Sequence, residues 1–188
     1  RDRRTEEEIG SLLKEKIYVP LVSEIENLFL IPKVIELVAK KQNIENVDDL
    51  LEQTKAKTIE FLQEHLEEQS LLFAKKRCQN TINNICNQPT STIEEYKASL
   101  DGVVDIVNPQ EEYNKVREEL QKIIDDKDYL AALKVINNKG LLPSTNLPNV
   151  FGWKKQYYIE YVIRLLESKD SVSEELCDIF REYVPVEI

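Results

Sequence analysis

The chain has 188 residues, 41% of them hydrophobic, enough for one compact domain or a small domain with an appendage, and too apolar for a disordered chain. Its 25 basic and 35 acidic residues give a formal net charge of −10, so its long-range field repels a polyanion; contact with nucleic acid needs a local basic patch, a bound cation or a basic partner domain. No apolar run approaches the ~20 residues of a transmembrane helix and no signal-peptide core is present, which excludes membrane insertion by a helix and leaves a cytoplasmic location as the expectation.

Four Gly and seven Pro are few for this length, while Leu, Ile, Glu and Lys abound, so a mainly α fold is expected. There is no Met, and the natural polypeptide is expected to begin upstream of Arg1. The spacing predicts a helix over 5–16, with Thr5 as N-cap, Glu8 as its capping-box partner, and Ile9, Leu12 and Leu13 on one face. IYVPLV (17–22) is a continuous apolar run of strand length, and Pro20 makes the strand short or an edge. This is the one strand expected. SEIENLFLIP then gives an apolar turn before PKVIELVAKK opens a second helix at Pro32.

From about residue 46 to 87 there is no Gly or Pro, and Val47, Leu51, Thr54, Thr58, Phe61, Leu62, His65, Gln69 and Leu72 fall three and four apart, predicting one long helix or a pair. Polar residues on that stripe favour packing within the domain over a coiled-coil seam. Thr92 with Glu95 forms a capping box for EEYKASLDGVVDIV, and Asn108 with Pro109 opens a helix to about Ile124. DYLAALKVINNK reads as the next helix, closed by Lys139 and Gly140, before two last helices over about 153–168 and 172–183. The expected organisation is 1–45, a helical region 46–135, and a C-terminal helical region 136–188 on the same core.

Three residues in two acidic segments are candidates for chemistry: Asp2 in RDRR, and Glu24 and Glu26 in SEIEN. Mg²⁺ takes hard oxygen ligands from one or two carboxylates, with water and phosphate filling the rest, and Glu24 directly follows the expected strand. Ser23 and Glu26 also fit a capping box, and Lys139 beside Gly140 also suits a helix C-terminus, so local spacing leaves both readings open. Lys75, Lys76 and Arg77, and the trio Trp153, Lys154 and Lys155 with Tyr157 and Tyr158, are residue types that hold phosphates and stack bases, although such runs more often form solvated faces. Cys78, Cys86 and Cys177 lack zinc-site spacing and read as reduced, packed thiols; His65, in FLQEHLEEQ, reads as a solvated helix position.

At these residues the chain resembles a known family. RDRR, an acidic helix and then IYVPLVSEIENLFL resemble the second half of the TOPRIM domain of bacterial AAA/ABC-type ATPases related to the OLD nucleases, where one strand ends in D-R-D and a later one in an E-I-E-N turn. DYLAALKVINNKGLL (128–142) resembles a later N-G-K-x-L-L motif, with Asn138 where Gly is expected. The likeness covers about the first 40 residues and about 128–166. It implies that 1–45 is the C-terminal half of a TOPRIM-like α/β unit, with its short strand a remnant of that core. It also implies a metal-dependent DNA nuclease with Mg²⁺ or Mn²⁺ held through Asp2, Glu24 and Glu26, and Lys139 as partner for a phosphate oxygen. The first Asp of the D-R-D pair would precede Arg1, and ATP would bind an upstream domain. The implied partners are DNA, the upstream ATPase/TOPRIM segment and a homo-oligomer, in a setting of phage defence, with this chain inactive alone. The competing class is a non-catalytic acidic helical interaction module.

Overall fold

A computed structural model describes Arg3, Arg4 and residues 6–184. It is mainly helical, with no strand among the described residues. Helix α1 (Glu6–Lys14) buries Ile9 and ends in a turn where Lys16 takes a positive φ of 60°. Thr5, its expected N-cap, lies outside the described residues; Glu8 accepts from the Asn80 side chain instead.

IYVPLV is not a strand. The run buries Val19 and Val22 as its composition requires, yet its amides bond singly to carbonyls of two different helices, Leu21 N to Tyr183 O at 2.7 Å and, just beyond it, Ser23 N to Leu133 O at 3.1 Å. Pro20 contributes no donor, and no neighbouring extended segment offers a ladder. A 3₁₀ turn, Ile25–Leu30, follows; Pro32 then supplies the N1 residue of α2 (Pro32–Lys41), whose Val34, Ile35 and Val38 are fully buried.

The Gly-free stretch divides into α3 (Val47–Glu64) and α4 (Leu66–Cys86). His65 makes the break: it leaves helical geometry at φ −106°, its Nδ1 lies 2.9 Å from Phe61 O, and its ring stacks on Phe61 at 4.1 Å. It is therefore a half-buried junction residue rather than a solvated helix position. Thr54, Thr58 and Ser70 on the buried side donate to the carbonyls four residues back at 2.8, 2.9 and 2.6 Å, whereas Gln69 Oε1 is buried without a hydrogen-bond partner.

Thr92 caps α5 (Ile93–Asp101) by accepting from Glu95 N at 3.2 Å; the Glu95 carboxylate takes Ser91 N. Gly102 divides the expected single helix, leaving α6 (Val103–Ile106) as a separate turn. Asn108 accepts from Glu111 N at the start of α7 (Pro109–Asp125), and Asp128 caps α8 (Tyr129–Val135). Gly140 does not close α8: the C-cap is Ile136, while Gly140, at φ −76°, opens α9 (Leu141–Ser144). Helices α10 (Leu147–Val150), α11 (Lys155–Glu167) and α12 (Ser171–Tyr183) complete the chain, the last capped by Asp170 on two amides at 3.0 Å.

One apolar cluster joins these elements. Leu30, Ile31 and Ile35 meet Leu62, Leu133, Leu141, Leu147, Tyr158, Val162 and Leu176, and the same cluster extends through Phe73, Val116 and Leu120 where α4 packs against α7. Stretches far apart in sequence are thus held against the 3₁₀ turn by burial, the dominant favourable term in folding.

Candidate functional site: the acidic turn and the NNKG turn

The 3₁₀ turn is fixed by buried hydrogen bonds to segments more than 90 residues away. Asn27, 1% exposed, donates from Nδ2 to Leu133 O and to Ile136 O, both at 2.9 Å, and so satisfies carbonyls that the end of α8 leaves open. Tyr158 donates to Phe29 O at 3.0 Å and Tyr129 to Leu30 O. Burial pushes both phenols above the ordinary tyrosine range, so both are neutral donors.

Beside this turn lie Asn137, Asn138, Lys139 and Gly140. Each carbonyl from Ile136 to Lys139 accepts a bond: Asn27 takes that of Ile136, Arg3 Nη2 that of Asn137 at 3.4 Å, Leu141 N that of Asn138 at 3.1 Å, and Lys155 Nζ that of Lys139 at 3.0 Å. Asn138 Oδ1 also accepts Gly140 N at 2.8 Å. A Cβ on Gly140 would approach that oxygen to 2.9 Å, so a side chain is excluded unless Asn138 moves. A turn gripped from several elements has little freedom to shift.

The residues singled out in sequence take distinct places here. Asp2 lies outside the described residues. Glu24 is half-buried at the N-cap of the 3₁₀ turn and its side chain caps nothing; the Ser23 hydroxyl is buried without a hydrogen-bond partner, so the S-x-x-E capping box is not formed. Glu26 turns to Lys155, with Oε2 2.6 Å from Nζ and side chains only 22% and 29% exposed. That contact is close yet poorly aligned as a hydrogen bond, so charge attraction carries it. The Lys139 side chain is exposed, and its backbone rather than its ammonium joins the network. Glu26 and the Lys139 backbone are therefore brought together through Lys155, which sequence reasoning noticed only within a basic trio. Asn27 and Arg3 were missed, because nothing local distinguishes a buried Asn or a carbonyl-seeking Arg from their exposed counterparts.

A divalent cation does not fit the described residues alone. Among them no group of three or more His, Cys, Asp and Glu side chains is placed to hold a metal ion, and the Glu26 charge is already balanced by Lys155. The cysteines are free thiols, Cys78 buried and its thiol pushed up by desolvation.

One basic side chain of each run is engaged, Arg77 and Lys155, while Lys75 and Lys154 are exposed. Arg77 makes a two-pronged pair with Glu119 at 2.6 and 3.2 Å and has Glu112 at 3.9 Å. Trp153 packs against Phe151 and Tyr157 at 5.1 Å and Tyr161 at 4.7 Å, so its ring is used for internal packing. A cleft of about 780 Å³ between α1, α4 and α7 is lined by both signs of charge, Glu8, Glu15 and Glu119 with Arg4, Arg77 and Lys115, and so has no single-sign field. No described helix is long and apolar enough to cross a membrane. Compared with known proteins, the chain matches no family model, no curated protein and no solved structure.

Proposed function

We propose that these 188 residues are the C-terminal part of an ATP-regulated, metal-dependent DNA nuclease with a role in phage defence. The observation that supports this reading is that the two stretches carrying the TOPRIM resemblance pack on one another: Glu26 meets Lys155 at 2.6 Å and Lys155 reaches the Lys139 carbonyl at 3.0 Å. In this reading Asp2, Glu24 and Glu26 are part of a larger carboxylate set for Mg²⁺ or Mn²⁺, and the helices hold the acidic turn in place. ATP binding belongs to a domain outside these residues. Since the described side chains do not themselves assemble a cation site, the chain alone is expected to be inactive.

Plasmid nicking by the complete protein in Mn²⁺ tests this, comparing wild type with Glu24→Ala and Asp2→Ala. Loss of cleavage in both variants, with helical content retained, supports the reading; undiminished cleavage in both, or none in wild type, refutes it. Robust cleavage by the 188-residue chain alone would contradict its expected inactivity.

A second reading, a non-catalytic interaction module, is favoured by one feature. Helix α5 buries no residue and leaves Ile93 70% and Leu100 39% exposed. An acidic helical protein that binds neither Mn²⁺ nor DNA, and whose self-association is abolished by Leu100→Ser, would support that reading.

A further inference from the structure

We infer that Lys155 is a positioning residue that couples the acidic turn to the NNKG turn, and that it, rather than Lys139, is the lysine directly engaged with the acidic turn. One ammonium contacts two groups from separate segments, the Glu26 carboxylate at 2.6 Å and the Lys139 carbonyl at 3.0 Å. Lys155 stands at the first residue of α11, an element anchored by the fully buried Tyr158 and Val162, so its stem starts from a fixed point. Glu26 is equally constrained, since the next residue, Asn27, is locked onto the end of α8. Each partner therefore has little room to retreat from the other, and the ammonium links the two turns beside the bonds that Asn27 makes to the end of α8. Lys139, by contrast, contributes its carbonyl to this junction and keeps its own side chain at the surface.

A lone exposed ion pair would not support this inference, because such pairs are worth little and hold nothing in place. Here both side chains are more than two-thirds shielded, and the same ammonium that Glu26 attracts also donates to the Lys139 carbonyl, so one charged group acts on two segments at once. The coupling itself does not require the nuclease reading; its consequence for cleavage does rest on it.

Two measurements keep these apart. In the 188-residue chain, ¹⁵N-detected lysine ammonium signals are compared between wild type, Glu26→Gln and Lys139→Met. A slowly exchanging Lys155 signal that is lost in Glu26→Gln and retained in Lys139→Met is the expected result; a Lys155 signal indifferent to Glu26→Gln overturns the coupling. In the complete protein, Lys155→Met should lower kcat for plasmid nicking by about 10–100-fold, the usual cost of losing a residue that orients a metal-site ligand, with KM for DNA little changed and partial rescue by Lys155→Arg. A rise in KM at constant kcat would instead make Lys155 a DNA contact and overturn its positioning role. If wild type does not nick, the functional reading fails, while the ammonium signals still decide the coupling.

Discussion

At the 3₁₀ turn, Asn27, Tyr129 and Tyr158 hold buried polar atoms against backbone carbonyls about 100 residues or more away. Where α4 packs on α7, the polar groups pair with one another near the surface, Arg77 with Glu119 and Arg117 with Glu67, and the α5–α6 segment connecting those helices leaves Ile93 and Ile106 uncovered. The difference teaches where rigidity has been invested. Desolvated polar atoms must keep their partners, because losing one leaves the other unsatisfied away from water; surface pairs exchange partners with solvent at little cost. The acidic turn therefore has one strongly preferred position, whereas the α5–α6 segment is free of such demands.

The largest expected effect comes from removing the amide that serves two carbonyls. Asn27→Ala should destabilise the fold by about 2–4 kcal/mol in urea unfolding, since Ile136 O loses its buried donor and Leu133 O is left with Ser23 N alone. Lys155→Met should cost about 1–3 kcal/mol by leaving the Glu26 carboxylate without its counter-charge, and a variant as stable as wild type would mean that the pair holds nothing.

Alkaline titration sharpens the same contrast. Tyr129 and Tyr158 have folded-state values raised above those of the unfolded chain, so their contribution is fully present below about pH 10 and is lost as pH rises beyond it. Each group should add a slope of about 1.4 kcal/mol per pH unit above that point, measurable as a fall in Tm. Tyr158→Phe should reduce this slope and cost about 1 kcal/mol at neutral pH through the lost bond to Phe29 O. Smallest of all, Leu100→Ser in α5 should change stability by less than about 0.5 kcal/mol, the ordinary result for a surface site.

Local chemistry was legible in the sequence where one residue decides its own neighbourhood. Thr92 and Asn108 cap the helices their positions predict, and Pro32 and Pro109 start theirs. The mainly helical class followed from composition. What failed was everything decided by distant partners. IYVPLV has the residues of a strand, yet a strand needs a ladder and the fold presents isolated helix carbonyls. Gly140 looked like a C-cap, but Asn27 closes α8 four residues earlier with a side chain. The site divides in the same way: Glu26 and Lys139 were marked in sequence for other roles, and that their segments meet through Lys155 could not be read there, because Lys155 carries no local mark of that position.

The most direct test of the account is a double-mutant cycle by urea unfolding of the 188-residue chain, using Glu26→Gln, Lys155→Met and the pair together. A coupling of at least about 1 kcal/mol between the two sites is predicted, because each side chain is the other's partly shielded counter-charge; additive losses would contradict the claim that this pair couples the acidic turn to the NNKG turn.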